Sequence, residues 1–354
     1  MASAKNLPAV YRKLVAVKLS QKFREAAQMV TANLPTPAAD EIIIKNRFVG
    51  INASDINFTA GRYFTDAQPP FDIGFEGVGE VVAKGDKCGD IKIGQPVAFM
   101  KNGAFSEYIS LERKMAIPLP MPQAKPEVIS LLVSGMTAAI SLDEVGEVKA
   151  GENVLVTAAA GGTGQFAVQW AKKAGCHVIG TCSTDEKVEL LKSIGCDRAI
   201  NTNKENLREV LRKEYKKGVD VVYETIGGEV FDACVDNLAK KGRLVVIGYI
   251  TGYESDSGLA RSKTGTLPAK LLAKSCSIRG FMLFDYADQY KAYLGKLLAG
   301  YLDGSIKITV DNGVNDPRGP FKGLDSIANA VEYLYSRKSR GKIVVEIPDQ
   351  SAKL

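Results

Sequence analysis

The chain has 354 residues, 45% of them hydrophobic, which is enough for two cores and lacks the polar bias of a disordered protein. Its 46 basic and 40 acidic side chains give a net charge of +6, scattered except near Arg337 to Arg340, so the pattern is no nucleic-acid footprint. No apolar run approaches the roughly eighteen residues of a bilayer span, and residues 1–13 lack the apolar core of a signal peptide, so neither a membrane span nor secretion is expected.

Short β-rich runs open the chain: Leu14 to Leu19, Glu41 to Gly50, Gly79 to Ala83, Gln95 to Met100 and Ala104 to Ser110. Pro and Gly separate them, which predicts a compact antiparallel or barrel-like β domain. Ser54 and Asp55 read as the cap of a helix beginning at Ile56. Met121 to Pro126, with Pro120 and Pro122 close by, reads as a hinge.

From about residue 150 to 283 strands alternate with helices. Asn153 to Thr157, His177 to Cys182, a short piece near Ala199, Val219 to Glu224, Arg243 to Gly248 and Ser277 to Leu283 read as strands. Between them Leu207, Val210, Leu211 and Tyr215 share one helical face, opposite Arg208, Glu209, Arg212 and Lys213. Such alternation predicts a doubly wound parallel sheet covered on both faces. Tyr249 to Lys274 is a long connection and a candidate lid. A helix over 286–304 and strands at Ile306 to Asp311 and Lys342 to Ile347 follow, and this tail is expected to rejoin the first domain. The expected domains are therefore 1–128 with 306–354, and an inserted 129–305.

Chemistry enters at Val154 to Gly164, where an apolar run breaks into a glycine-rich turn and opens a helix. The backbone of Ala160, Gly161, Gly162, Thr163 and Gly164 reads as a dinucleotide cradle, because small residues admit a pyrophosphate to a helix N-terminus. Ala159 takes the place of the first glycine, which an ordinary backbone conformation allows. About twenty residues on, a carboxylate would select NAD by bonding the ribose 2′-hydroxyl. Thr181-Cys182-Ser183 stands there instead. Ser183 can bind a 2′-phosphate and Lys187 can add a cation, while Asp185 and Glu186 begin the next helix, so NADPH is the expected cofactor. The six cysteines lie far apart without Cys-x-x-Cys spacing, and His177 is the only histidine; no disulfide scaffold and no clustered metal site is expected.

Gly74-Phe75-Glu76-Gly77-Val78-Gly79-Glu80-Val81 and Gly50-Ile51-Asn52-Ala53-Ser54-Asp55 resemble the signature segments of the medium-chain dehydrogenase/reductase superfamily. Phe75 stands in place of the zinc-ligating histidine and Asn52 in place of the ligating cysteine. The four-cysteine structural lobe is also missing, so the chain resembles a zinc-independent member with no metal. That resemblance implies a Rossmann-type sheet inserted in a GroES-like β-rich catalytic domain. It also implies NADPH-dependent reduction of the conjugated C=C bond of enones or lipid-derived ketones, with 15-keto-prostaglandins giving 13,14-dihydro products. The resemblance also places Thr137, Gly227, Gly248, Tyr249, Ile250, Phe281, Met282 and Leu283 around the nicotinamide half, or else they are packing residues, the apolar ones above all. Asn201 precedes Thr202, where related reductases carry an aromatic residue by the 2′-phosphate. A homodimer through edge strands is implied too.

Without zinc, hydride transfer needs an acceptor already activated by conjugation, and donors must stabilise the oxyanion that forms. Asn52 is a candidate donor to nicotinamide or substrate, or else the start of an Asx turn. Tyr63, in a stretch resembling mitochondrial enoyl reductases, is a candidate proton donor or oxyanion partner, or else a packing residue. An NADPH quinone oxidoreductase and a low-turnover NADPH-binding, redox-responsive module are the alternatives. Ala352, Lys353 and Leu354 resemble the Ser-Lys-Leu address, so an import receptor and the peroxisome are expected, with the cytoplasm as alternative.

Overall fold

The computed structural model describes residues 7–63, 66, 68–262 and 264–349. Ala352, Lys353 and Leu354 lie outside them. The chain divides into two units, Met1–Leu132 with Val310–Leu354, and Val133–Thr309.

In the first unit strands β1 to β8 are Val10–Ala16, Ala27–Asn33, Glu41–Gly50, Phe71–Asp72, Glu76–Lys84, Pro96–Met100, Tyr108–Glu112 and Ala116–Pro118. The second contributes β9 to β14, Asn153–Val156, His177–Cys182, Arg198–Asn201, Val219–Glu224, Leu238–Val246 and Ser277–Gly280. The first unit resumes with β15, Val310–Asp311, and β16, Lys342–Glu346.

β3 organises the first unit. β5 pairs antiparallel along one edge of it, while β7 takes the Glu41 end of the other edge and β16 the Gly50 end. Ile42, Ile43 and Ile44 are all buried, as a strand covered on both faces requires, and Ile42 and Ile44 join Val81, Val97, Phe99 and Leu111 in one core. β1, β2 and β4 form a separate three-stranded sheet.

The second unit is a six-stranded parallel sheet in the order β11-β10-β9-β12-β13-β14. The order reverses between β9 and β12, and the carboxyl ends of strands at such a switch point are where doubly wound folds bind ligands. The connecting helices bury the faces that their spacing defines. In Leu207–Glu214, Leu207, Val210 and Leu211 are buried, and the Asn206 side chain caps the helix by accepting from the Glu209 N–H at 3.2 Å.

Several boundaries differ from the sequence reading. The helix expected from Ile56 is Ser54–Thr59. The strand expected over Ile306 to Asp311 shrinks to β15, because the N–H groups of Lys307 and Thr309 each donate at 2.8 Å to Gln169 and Gln165 side chains. The last parallel strand stops at Gly280, three residues early, and a 3₁₀ turn over Leu283–Gln289 precedes the helix Tyr290–Leu302. The connection 249–274 contains helices Ile250–Tyr253 and Leu267–Lys274. Among the described residues one helical stretch, Pro126–Val145, is long and apolar enough to cross a bilayer, contrary to the expectation from sequence. Most of it is buried, as a core helix is.

Candidate functional site

The cradle lies where β9 meets the helix Gly164–Lys173. Gly161 N–H closes the turn on the Ala158 carbonyl at 2.9 Å, and Ala159 N–H reaches across to the Thr181 carbonyl of β10 at 2.8 Å. The strained backbone position is Ala158, at φ +47°, so Ala159 tolerates its place in the glycine pattern. At Gly164 a Cβ would fall 2.5 Å from the Ala158 oxygen and 2.7 Å from Ala159 Cα. Only glycine lets the helix start this close to the strand.

Thr163, at the N-cap, makes no side-chain bond to its own helix. Its hydroxyl instead donates to the Ser134 carbonyl at 3.0 Å and accepts from the fully buried Tyr223 hydroxyl at 2.5 Å. The Gln165 and Phe166 N–H groups close on the Gly161 and Thr163 carbonyls at 3.2 and 3.1 Å, so what the turn offers a dinucleotide pyrophosphate is its small-residue backbone at a helix start.

At the end of β10, Lys187 Nζ lies 3.5 Å from Ser183 Oγ, and Thr184 caps the next helix by accepting from Lys187 N–H at 3.4 Å. Asp185 sits in the first turn of that helix. Its carboxylate accepts from Asn201 at 2.9 Å and from Lys204 at 2.5 Å, and these partners, Lys204 foremost, hold it below the usual carboxylate range. Asn201 is thus occupied in restraining a negative charge beside Ser183.

At the end of β12, Glu224 is buried and accepts from the Ile226 N–H at 2.8 Å and the Gly227 N–H at 3.0 Å. Burial pushes its carboxyl up to about 7 against those bonds. Gly227, at φ +78°, has room for no Cβ, which would fall 2.8 Å from the Cβ of Tyr249. The Gly248 and Ile250 N–H groups are spent on the Glu224 and Thr225 carbonyls at 3.4 and 3.1 Å. Thr137 is buried, Phe281 stacks on Tyr286, Leu283 is buried, and Met282 and Tyr249 are exposed.

In the first unit Asn52 follows β3. Its backbone N–H donates to Asp55 Oδ2 at 2.8 Å and its Nδ2 donates to Glu76 Oε1 at 3.0 Å. Its Oδ1 accepts from Lys342 at 2.7 Å, and Lys342 also meets Glu76 Oε1 at 2.5 Å. All four residues are buried. Burial drives the Asp55 carboxyl up to about 8, although the Asn52 N–H and the Lys342 charge oppose the shift. Tyr63 lies past the helix Ser54–Thr59, its hydroxyl accepting from Asn57 Nδ2 at 3.4 Å. Neither the Glu76 to Lys342 pair nor the Tyr223 to Thr163 contact was expected from sequence. The one signal was a lysine opening an otherwise apolar strand.

These features match known proteins. Residues 38–121 match the alcohol dehydrogenase GroES-like domain and residues 162–299 the zinc-binding dehydrogenase family. The chain belongs to the medium-chain dehydrogenase/reductase superfamily and is an oxidoreductase of its quinone oxidoreductase-like kind. It is 54% identical to prostaglandin reductase-3 of Mus musculus, over 97% of this chain and 91% of that protein. A probable quinone oxidoreductase of Leishmania amazonensis is 45% identical over 96% and 99% of the two chains. Among solved structures, the Escherichia coli quinone oxidoreductase complexed with NADPH superposes with a TM-score of 0.80 at 26% identity, covering 95% of this chain and 99% of that one. The zinc in the family's description does not fit these residues. The Asn52 oxygen is held by an ammonium, and Phe75 offers a ring packed edge-on to Phe58 at 5.0 Å.

Proposed function

We propose that the chain reduces the carbon–carbon double bond of enones with NADPH, turning substrates such as 15-keto-prostaglandins into 13,14-dihydro products. The observation that carries this reading is the Lys342 ammonium on Asn52 Oδ1, 2.7 Å away, at a position where the superfamily's zinc chemistry needs a ligand. With no Lewis acid there, an acceptor already activated by conjugation needs the least further polarisation to take a hydride, which favours an enone.

NADPH, when bound, supplies the hydride. The turn Ala160 to Gly164 holds its pyrophosphate, and Ser183 and Lys187 hold the 2′-phosphate, with Asp185 restrained by Asn201 and Lys204. Thr137, Gly227, the backbone carbonyls of Gly248, Tyr249 and Ile250, and the apolar residues Phe281, Met282 and Leu283 border the nicotinamide. Asn52 donates an N–H to the substrate oxygen as negative charge develops there, and the Tyr63 hydroxyl stabilises the same charge or passes on a proton. A second copy pairs along β14, one of the two edge strands of the parallel sheet, flanked by Leu272 at 84% exposure and by Phe284.

Reduction of quinones is the second reading, favoured by the 45% identity to a probable quinone oxidoreductase and by the same need for an activated acceptor. Turnover of NADPH with a panel of enones and quinones separates the two. Saturable oxidation with enones and a product reduced at the double bond support the first reading. Turnover with quinones alone supports the second, and binding without turnover leaves a redox-responsive module.

A further inference from the structure

Asn52 is gripped from three elements. The helix Ser54–Thr59 holds its backbone through Asp55, β5 holds its Nδ2 through Glu76, and β16 holds its Oδ1 through Lys342. The carbonyl of Ala53, next in the chain, accepts from Tyr335 at 2.6 Å. The grip is built into the packing, because a Cβ on Gly50 would fall 2.5 Å from Glu76 Oε1. Glycine at the end of β3 is what lets the carboxylate reach the amide.

An asparagine amide normally offers two orientations of similar energy, related by a half-turn of its plane. Here the partners are chemically unlike. An ammonium only donates and a carboxylate only accepts, so a turned amide would set N–H against N–H and oxygen against carboxylate. With Lys342 2% and Glu76 0% exposed, water cannot rescue that arrangement. The second N–H of Nδ2, the one not spent on Glu76, therefore has a single direction. The ammonium on Oδ1 and the carboxylate on Nδ2 act on the amide's electron density in opposite senses, so what the pair imposes on that N–H is its direction.

We propose that Lys342 and Glu76 are positioning residues for reduction: their buried ion pair fixes the orientation of the Asn52 amide, so that its second N–H is held ready for the substrate oxyanion. The proposal rests on the reading of Asn52 as a substrate donor. Lys342→Met alone would strand a buried carboxylate and endanger folding, so the variant of choice is the double substitution Lys342→Met with Glu76→Gln, which removes both charges at similar volume. Lys342→Arg keeps the charge.

Two readouts test it. In the cofactor-free protein, the ¹⁵N side-chain amide of Asn52 is expected to show two well-separated, slowly exchanging protons, and to revert to the signature of a mobile amide in the double variant. In stopped flow with bound NADPH and an enone, the double variant is expected to transfer hydride about tenfold or more slowly with NADPH affinity unchanged. Asn52→Ala should cost a similar factor in the native chain and little more in the double variant, and Lys342→Arg should restore most of the rate. If Asn52→Ala costs its full factor in both backgrounds, or the amide resonance is the same in both, the positioning role is overturned. A native protein that transfers hydride to no enone instead defeats the functional reading, and the amide resonance then decides whether the pair orients Asn52.

Discussion

The Tyr223 hydroxyl donates to the Thr163 hydroxyl at 2.5 Å, tying the strand across the switch point to the rim of the cradle. Burial drives the phenol's ionisation far above its usual range, so it stays a donor at any working pH. Tyr223→Phe keeps the ring and removes that donor. We expect a loss of about 1 kcal/mol in denaturant stability and weaker NADPH binding by fluorescence titration. Unchanged affinity would reduce the contact to packing.

Lys187 should discriminate between cofactors. Removing one charge-assisted contact costs on the order of 1 to 3 kcal/mol, so Lys187→Ala should weaken NADPH by that amount and leave NADH nearly untouched. Equal weakening of both in parallel titrations would leave the lysine a structural partner of Ser183.

Stability should decline toward alkaline pH because of Asp55. Its carboxyl is raised from 3.8 to about 8 on folding, so folded and unfolded chains are both protonated below 3.8, and stability falls as pH climbs from there to about 8. The full cost is on the order of 5 kcal/mol. Asp55→Asn keeps an oxygen for the Asn52 N–H and cannot ionise, so the denaturation midpoint should depend less on pH across that window. Some slope should remain from Glu224, raised in the same direction to about 7. An identical profile for the variant would show that Asp55 does not titrate there.

For Tyr63 the informative change is Tyr63→Phe. If the phenol stabilises the enolate or delivers a proton, cofactor affinity should persist while hydride transfer to a saturating enone falls by roughly 10²-fold. An unchanged stopped-flow rate would leave Tyr63 as a structural partner of Asn57.

The parallel sheet was legible because strands such as β9 and β10 are short, mostly apolar runs and because alternation with helices requires parallel crossovers, whereas the order of the strands was not. The strand expected ahead of β15 does not form, since side chains of Gln169 and Gln165 take the backbone N–H groups of Lys307 and Thr309. The strand, glycine turn and helix that carry the candidate cradle could be named in advance, because they depend on local spacing. The environment of Asn52 could not, since its partners Glu76 and Lys342 lie on strands that only tertiary pairing brings beside it. The same distance hides the burial that raises Asp55.

That pairing of β16 with β3 also sets an order of assembly during synthesis. Asn52 and Glu76 leave the ribosome early, but Lys342 is 290 residues behind Asn52. Until it arrives, the Glu76 carboxylate lacks the Lys342 ammonium and one edge of β3 stays partly open, a state prone to wrong pairing. The intervening parallel sheet has all its strands before β16 exists, so the unit that begins the chain is the last to close, and a nascent protein spends most of its translation with that seam in need of protection.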